Sequence, residues 1–180
     1  MLDPIVGYLI VVSFALLFAH AGIHKLRGVA RFTDAFSAYR VMPRPLDRPV
    51  ALAIPVLELA IALMLLWEPS RRLAMLGGIG VLIAYAAGMA LNLARGKRDL
   101  ECGCGSGYNR RSIAAWMVWR NLLLVLPLCI ALLSWSARPF DASDILTFAG
   151  GLAVCTTLYG TIDRLLGDVR PRAIMLRGTS

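Results

Sequence analysis

The chain has 180 residues, of which 58% are hydrophobic and only 17% charged, with a mean hydropathy of +0.69. A soluble domain carries about 45–50% apolar and about 25% charged residues, so this composition argues against a soluble enzyme or nucleic-acid-binding domain. The net charge of +8 fits either a nucleic-acid footprint or the basic loops that orient a membrane protein, and the placement of the charges decides between them.

About 20 mostly apolar residues are needed to cross the hydrocarbon core as a helix. Five segments meet that requirement. The first covers residues 5–24, opened by Pro4 at a tolerated first-turn position. Its Ala19-His20-Ala21 resembles a leader cleavage site, but no Lys or Arg precedes the apolar run, so an uncleaved helix is expected. The connector that follows carries Phe32, Phe36 and Tyr39 at i, i+4 and i+7, with Arg31, Asp34 and Arg40 elsewhere around the wheel. That pattern predicts a short helix in the membrane interface, ended by Pro43 and Pro45; it reads equally as a plain amphipathic connector and as a docking surface.

The second spanning segment covers 49–67, with Pro55 and Glu58 inside it. The third covers 72–94, the fourth 113–135, and the fifth 143–166 with Asp144 in its first turn. Ala74/Gly78, Ala84/Gly88 and Gly150/Gly151 are expected to let helices pack closely. The remaining loops and tails leave no room for a soluble catalytic domain. The expected fold is therefore all-α: a polytopic membrane protein, residues 1–180 as a single integral-membrane domain, with five transmembrane helices and a four-helix bundle core.

With the N-terminus outside, the inner segments hold Lys25, Arg27, Arg31, Arg40, Arg44 and Arg48, then Arg95, Lys97, Arg98, Arg110 and Arg111, then Arg164, Arg170, Arg172 and Arg177. The outer loops hold only Arg71, Arg72 and Arg138. This positive-inside bias predicts an N-terminus on the periplasmic side and a C-terminus in the cytoplasm. It makes the lipid bilayer the partner that the charge serves, and it removes the main support for nucleic acid.

Cys102-Gly103-Cys104, in the loop before the fourth helix, is the sharpest chemical feature. Two neighbouring cysteines can accept and release a disulfide as a pair. The one-residue spacing makes a strained ring, which the flanking glycines permit. Strain suits an exchange catalyst better than a staple, and the basic residues nearby favour thiolate. Half of a shared metal site and an inert pair are the alternatives. Cys129 and Cys155 lie within apolar helices and are expected to be buried packing residues.

Ionisable groups inside membrane helices are functional candidates by default. His20 and His24 share a face near the inner end of the first helix. Glu58 and Arg120 both lie about 10–14 Å deep at 1.5 Å per residue, with Asn92 and Asn121 at similar levels. An Arg120–Glu58 ion pair is expected to satisfy two otherwise costly charges. The set reads as a polar clasp or as a functional cavity lining. No metal-ligand spacing, phosphate-binding glycine loop or serine triad appears, so neither a metal nor a cofactor is expected.

Gly22-Ile23-His24-Lys25, Phe36 to Tyr39, Pro43 and Glu58-Leu59 resemble the DoxX-type membrane bundle. The longer run of Leu91-Asn92-Leu93-Ala94-Arg95-Gly96, Cys102-Gly103-Cys104 and Trp119-Arg120-Asn121 resembles the methylamine utilisation family MauE, over essentially the whole chain. The resemblance implies an inner-membrane accessory protein for processing, transport or maturation of the methylamine dehydrogenase β (small) subunit, in methylamine degradation. It also implies a thioredoxin-like partner of the MauD type. Thiol–disulfide exchange at Cys102 and Cys104 fits that work, although periplasmic disulfide chemistry favours these cysteines outside while the charge count puts them inside. The alternatives are a non-catalytic membrane scaffold or translocation helper for the same pathway, and a small metal-ion permease.

Overall fold

The computed structural model describes residues 2–97, 113–133, 135, 136, 138, 139 and 141–168. Helix α1 runs Pro4–Arg27, begun by the Asp3 carboxylate accepting the Ile5 amide at 2.9 Å and by proline at the first position. It stops at Gly28, whose amide closes on the Lys25 carbonyl. A short helix, α2 (Val29–Ala38), turns its Phe32 and Ala35 inward. Arg40 then adopts a left-handed φ of 47° and redirects the chain into α3 (Arg44–Leu66).

Helix α3 begins before residue 49, where the sequence pattern placed it. Pro43 and Pro45 open this helix instead of closing the one before, because proline is pre-organised for a helix's first turn, where its missing N–H is no loss. A 3-10 turn at Glu68–Ser70 leads into α4 (Arg71–Ala94). Helices α5 (Ala115–Ala131) and α6 (Ala142–Asp168) follow.

Helices α1, α3, α4 and α5 form a four-helix bundle, and α6 lies along α1 outside it. Val11, Phe14, Phe18, Ile61, Leu65, Met75, Leu82 and Leu128 make the buried core, one or more from each bundle helix. Large apolar side chains such as Leu63, Leu73 and Leu123 point outward, as they do when the solvent is lipid. Among the described residues, four helices are long and apolar enough to cross a membrane. The fifth, α5, has 17 residues, at the lower limit for a span, and sits within the bundle. The protein is thus an all-helical multi-pass membrane protein with a four-helix core.

At the end holding the start of α1, a polar clasp ties the chain together. The Ser136 amide donates to the Leu2 carbonyl at 2.8 Å. Arg138 donates to Asp3 at 3.0 Å and to Asp144 at 2.8 Å. That donation, with the Ile5 amide, holds the Asp3 carboxyl below its ordinary value. The Arg71 guanidinium lies 5.1 Å from the Tyr8 ring and 5.2 Å from the Trp135 ring.

The opposite end, called the basic end below, depends on a close approach of α1 and α3. A Cβ at Gly22 would lie 2.9 Å from the Pro55 carbonyl oxygen and 2.9 Å from Leu59 Cγ. Backbone cannot yield cheaply, so Gly22→Ala should destabilise the protein by about 1–3 kcal/mol despite alanine's better helix propensity. Gly80 has nothing within 4 Å of the same position, so Gly80→Ala should be neutral or slightly stabilising. Unfolding midpoints in detergent compare the two; equal effects would refute the close packing at Gly22.

Candidate functional site

Three helices each contribute one polar side chain to a single buried cluster at the basic end. Along α1, Val11, Phe14, Phe18, Gly22 and Lys25 all lie on the inward stripe, so the lysine continues a row of core positions. Glu58 does the same on α3, following Ala51 and Pro55 and preceding Ala62 and Leu65. Lys25 is 3% exposed and Glu58 1% exposed. Their ion pair is direct, from Lys25 Nζ to Glu58 Oε1.

Tyr85 of α4 closes the cluster. Its hydroxyl accepts from Lys25 Nζ at 3.0 Å and donates to Glu58 Oε1 at 2.6 Å. The ammonium also lies 4.7 Å from the centre of the Tyr85 ring and 5.3 Å from that of Phe32. Phe32 belongs to α2, so the short helix covers the cation with an aromatic face. Glu58 Oε1 thus accepts twice, while Oε2 is buried without a donor. The result is a neutralised pair, since a buried charge needs an opposite charge and further hydrogen bonds.

Beside it lies a second, smaller core. Met89, Ile113 and Met117 are buried there, with Tyr39, Tyr85, Leu93 and Trp116 packed against them. Ile113 is completely buried and holds the entry to α5 against the end of α4.

The residues singled out from the sequence are distributed around this cluster in different ways. Glu58 is in it, but its ionic partner is Lys25 and not Arg120. The Arg120 guanidinium instead lies 5.3 Å from the Trp116 ring and 6.0 Å from the Tyr159 ring of α6. Depth alone had paired the two charges, whereas their directions around the bundle separate them. Asn92 and Asn121 are buried, and each amide donates at 3.0 Å to the carbonyl four residues earlier on its own helix, Gly88 and Met117 respectively. They therefore do not bridge helices through these donors. His20 is exposed and His24 half-buried, their rings stacked at 6.4 Å on a face of α1 turned away from the cluster. Cys102 and Cys104 lie outside the described residues. Cys129 and Cys155 are free thiols exposed on α5 and α6, not buried in packing as expected, because these positions face outward from the bundle.

Lys25 and Tyr85 were missed by reasoning from sequence. Lys25 counts as a loop charge if α1 stops at residue 24, yet its place on the Phe14–Phe18–Gly22 stripe was visible. Tyr85 is a single hydroxyl in the apolar middle stretch of α4, between Arg72 and Asn92.

With this arrangement in view, comparison with known proteins is decisive. The family model described as methylamine utilisation protein MauE matches residues 3–134. The chain belongs to the MauE family. It is 35% identical to the methylamine utilization protein MauE of Paracoccus denitrificans, covering 90% of this chain and 89% of that protein. It is 31% identical to the MauE proteins of Paracoccus versutus, covering 92% of this chain and 89% of the relative, and of Methylorubrum extorquens, covering 88% and 86%. No solved structure matches the chain. In this MauE-family chain, the Gly22–Lys25 and Glu58–Leu59 stretches, which carried the resemblance to the DoxX-type bundle, supply the tight α1–α3 contact and the ion pair beside it.

Breaking the pair from one side leaves an uncompensated buried charge. Lys25→Met and Glu58→Gln should therefore each destabilise the protein, the former by about 3–5 kcal/mol. Lys25→Met/Glu58→Gln together should recover a large part of that loss. Unfolding in detergent with a double-mutant cycle measures the coupling; additive effects would show that the two groups do not act as a pair.

Proposed function

We propose that this protein supports maturation of the methylamine dehydrogenase β subunit at the cell inner membrane, through thiol–disulfide exchange at Cys102 and Cys104 with a thioredoxin-like partner of the MauD type. The carrying observation is where the Cys102-Gly103-Cys104 motif falls in the chain. It lies between α4 and α5, whose facing ends are fixed by the Met89–Ile113–Met117 core beside the Lys25–Glu58–Tyr85 cluster. The packed ends of α4 and α5 are a sound base for exchange, since both helices that flank the motif in sequence are anchored in the bundle.

The step itself balances without a further reagent. One cysteine thiolate attacks a disulfide of the partner and displaces one partner thiolate, giving a mixed disulfide. The second cysteine then displaces the remaining partner sulfur. Two electrons and two protons pass from Cys102 and Cys104 to the partner, which leaves as a dithiol, and a Cys102–Cys104 disulfide remains. Run in reverse, the same sequence oxidises a partner dithiol. The charge bias supports an N-terminus in the periplasm and a C-terminus in the cytoplasm.

A second reading, a non-catalytic scaffold or translocation helper, is favoured by α6. Its outer face leaves Ile145, Leu146, Val154 and Leu158 exposed, a long apolar surface beside the bundle.

Cys102→Ser/Cys104→Ser separates the two. Exchange predicts a clear loss of dehydrogenase yield and a rise in free thiols on the β subunit; unchanged yield and thiol count would overturn exchange and leave the scaffold. Labelling of Cys102 and Cys104 in intact cells with a membrane-impermeant thiol reagent checks the orientation. The charge-based topology predicts labelling only after permeabilisation, and labelling from outside would invert it.

A further inference from the structure

Where α2 meets the first turns of α3, a groove of about 1170 Å³ opens at the basic end. Asp34, Ser37, Arg40, Asp47, Arg48 and Leu52 are among its lining residues. Asp47 is the unusual member. It is only 6% exposed, and its Oδ1 is buried without a hydrogen-bond donor. Its place in the first turn of α3 gives some relief from the helix dipole. That does not replace the donor that a buried carboxylate oxygen requires. Among the described residues no ion pair joins Asp34, Arg40, Asp47 and Arg48, so two acids and two bases face one groove without neutralising each other.

We propose that this groove holds the headgroup of an aminophospholipid, its primary ammonium donating to Asp47 and its phosphodiester lying toward Arg40 and Arg48. Three features fit that ligand together. The charge pattern is that of a zwitterion's complement, with carboxylates and guanidiniums in one opening. The depth is right, because the apolar spanning stretch of α3 begins at Pro45, which puts Asp47 at headgroup level. Leu52 follows five residues on, about 7 Å deeper along the helix, where the glycerol and acyl chains would lie. A choline headgroup has no N–H to give Asp47. A purely anionic headgroup would meet two carboxylates.

Native mass spectrometry of the detergent-purified full chain tests this directly. The probes are phosphatidylethanolamine, its mono- and dimethyl derivatives, phosphatidylcholine and phosphatidylglycerol, all with the same acyl chains. Retention should persist while at least one N–H remains and fall about tenfold at the trimethylated, choline step, the loss expected for one charge-assisted hydrogen bond. Phosphatidylglycerol should be retained no better than phosphatidylcholine. Asp47→Asn should abolish the preference for ethanolamine over choline, with an unfolding midpoint unchanged from wild type. The methylation series uses the wild-type protein, so it decides the matter even if the variant does not fold. Equal retention of the ethanolamine and choline lipids, a preference for phosphatidylglycerol, or a folded Asp47→Asn that keeps the ethanolamine preference would each overturn the proposal. A lipid-free dimer dispersed by Asp47→Asn would assign the groove to a second copy of the chain and overturn it as well.

Discussion

A lysine and a glutamate buried inside a membrane helix bundle constrain everything around them, because neither can be left in hydrocarbon alone. Lys25 and Glu58 must face each other on adjacent helices, at one level, with their remaining hydrogen-bonding capacity largely met. The fold satisfies this by bringing α1 and α3 close at Gly22, a turn before the lysine, where the Pro55 carbonyl leaves no room for a Cβ. Tyr85 then fixes α4 to the same pair from the third side. Phe32 covers the cation from α2, so the short helix is held to the bundle through the ion pair as well as through its own apolar residues. Four of the six helices among the described residues thus meet at this end around one ammonium group.

The two ends of the bundle solve the same problem in different solvents. At the clasp end, a partly exposed Arg138 bridges a partly exposed Asp3 and a buried Asp144, so water reaches and screens part of the network. At the basic end the pair is almost fully buried, so its strength depends on geometry and not on screening. In sequence, Cys102 and Cys104 fall between α4 and α5, the two helices whose ends pack together beside that buried pair.

Hydropathy alone revealed four helices of spanning length, the shorter α5 (Ala115–Ala131 against an expected 113–135) and the all-α class, because a span must satisfy its backbone internally and be largely apolar. Periodicity also revealed α2, through Phe32, Phe36 and Tyr39. Other features were hidden for identifiable reasons. Proline reads as a stop at a helix end and as a start at a helix beginning, so Pro43 and Pro45 were assigned to the wrong helix. Glu58 was legible as a buried acid, but its partner was not. Depth along a helix can be counted in residues, whereas direction depends on how the helices are turned against one another, and that turned Arg120 toward Trp116 and Tyr159. Lys25 was disguised by its position near a helix end, where a charge is ordinarily counted as belonging to the loop.

That last point bears on the proposed orientation. A lysine neutralised inside the bundle contributes little to the charge asymmetry that sets topology, so Lys25 should be struck from the basic side. Arg71, stacked on Tyr8 and Trp135, still stands among the few cations of the opposite side. Without Lys25, fourteen cations remain on that side against Arg71, Arg72 and Arg138, and the bias keeps its sign. The net charge of +8 is therefore better read as two populations. One lysine is structural and electrically silent, holding the bundle together from within. Fourteen of the other cations fall, by their order in the chain, on the side to which the ends of α4 and α5 also belong, and Lys97, Arg98, Arg110 and Arg111 among them are the sequence neighbours of Cys102 and Cys104.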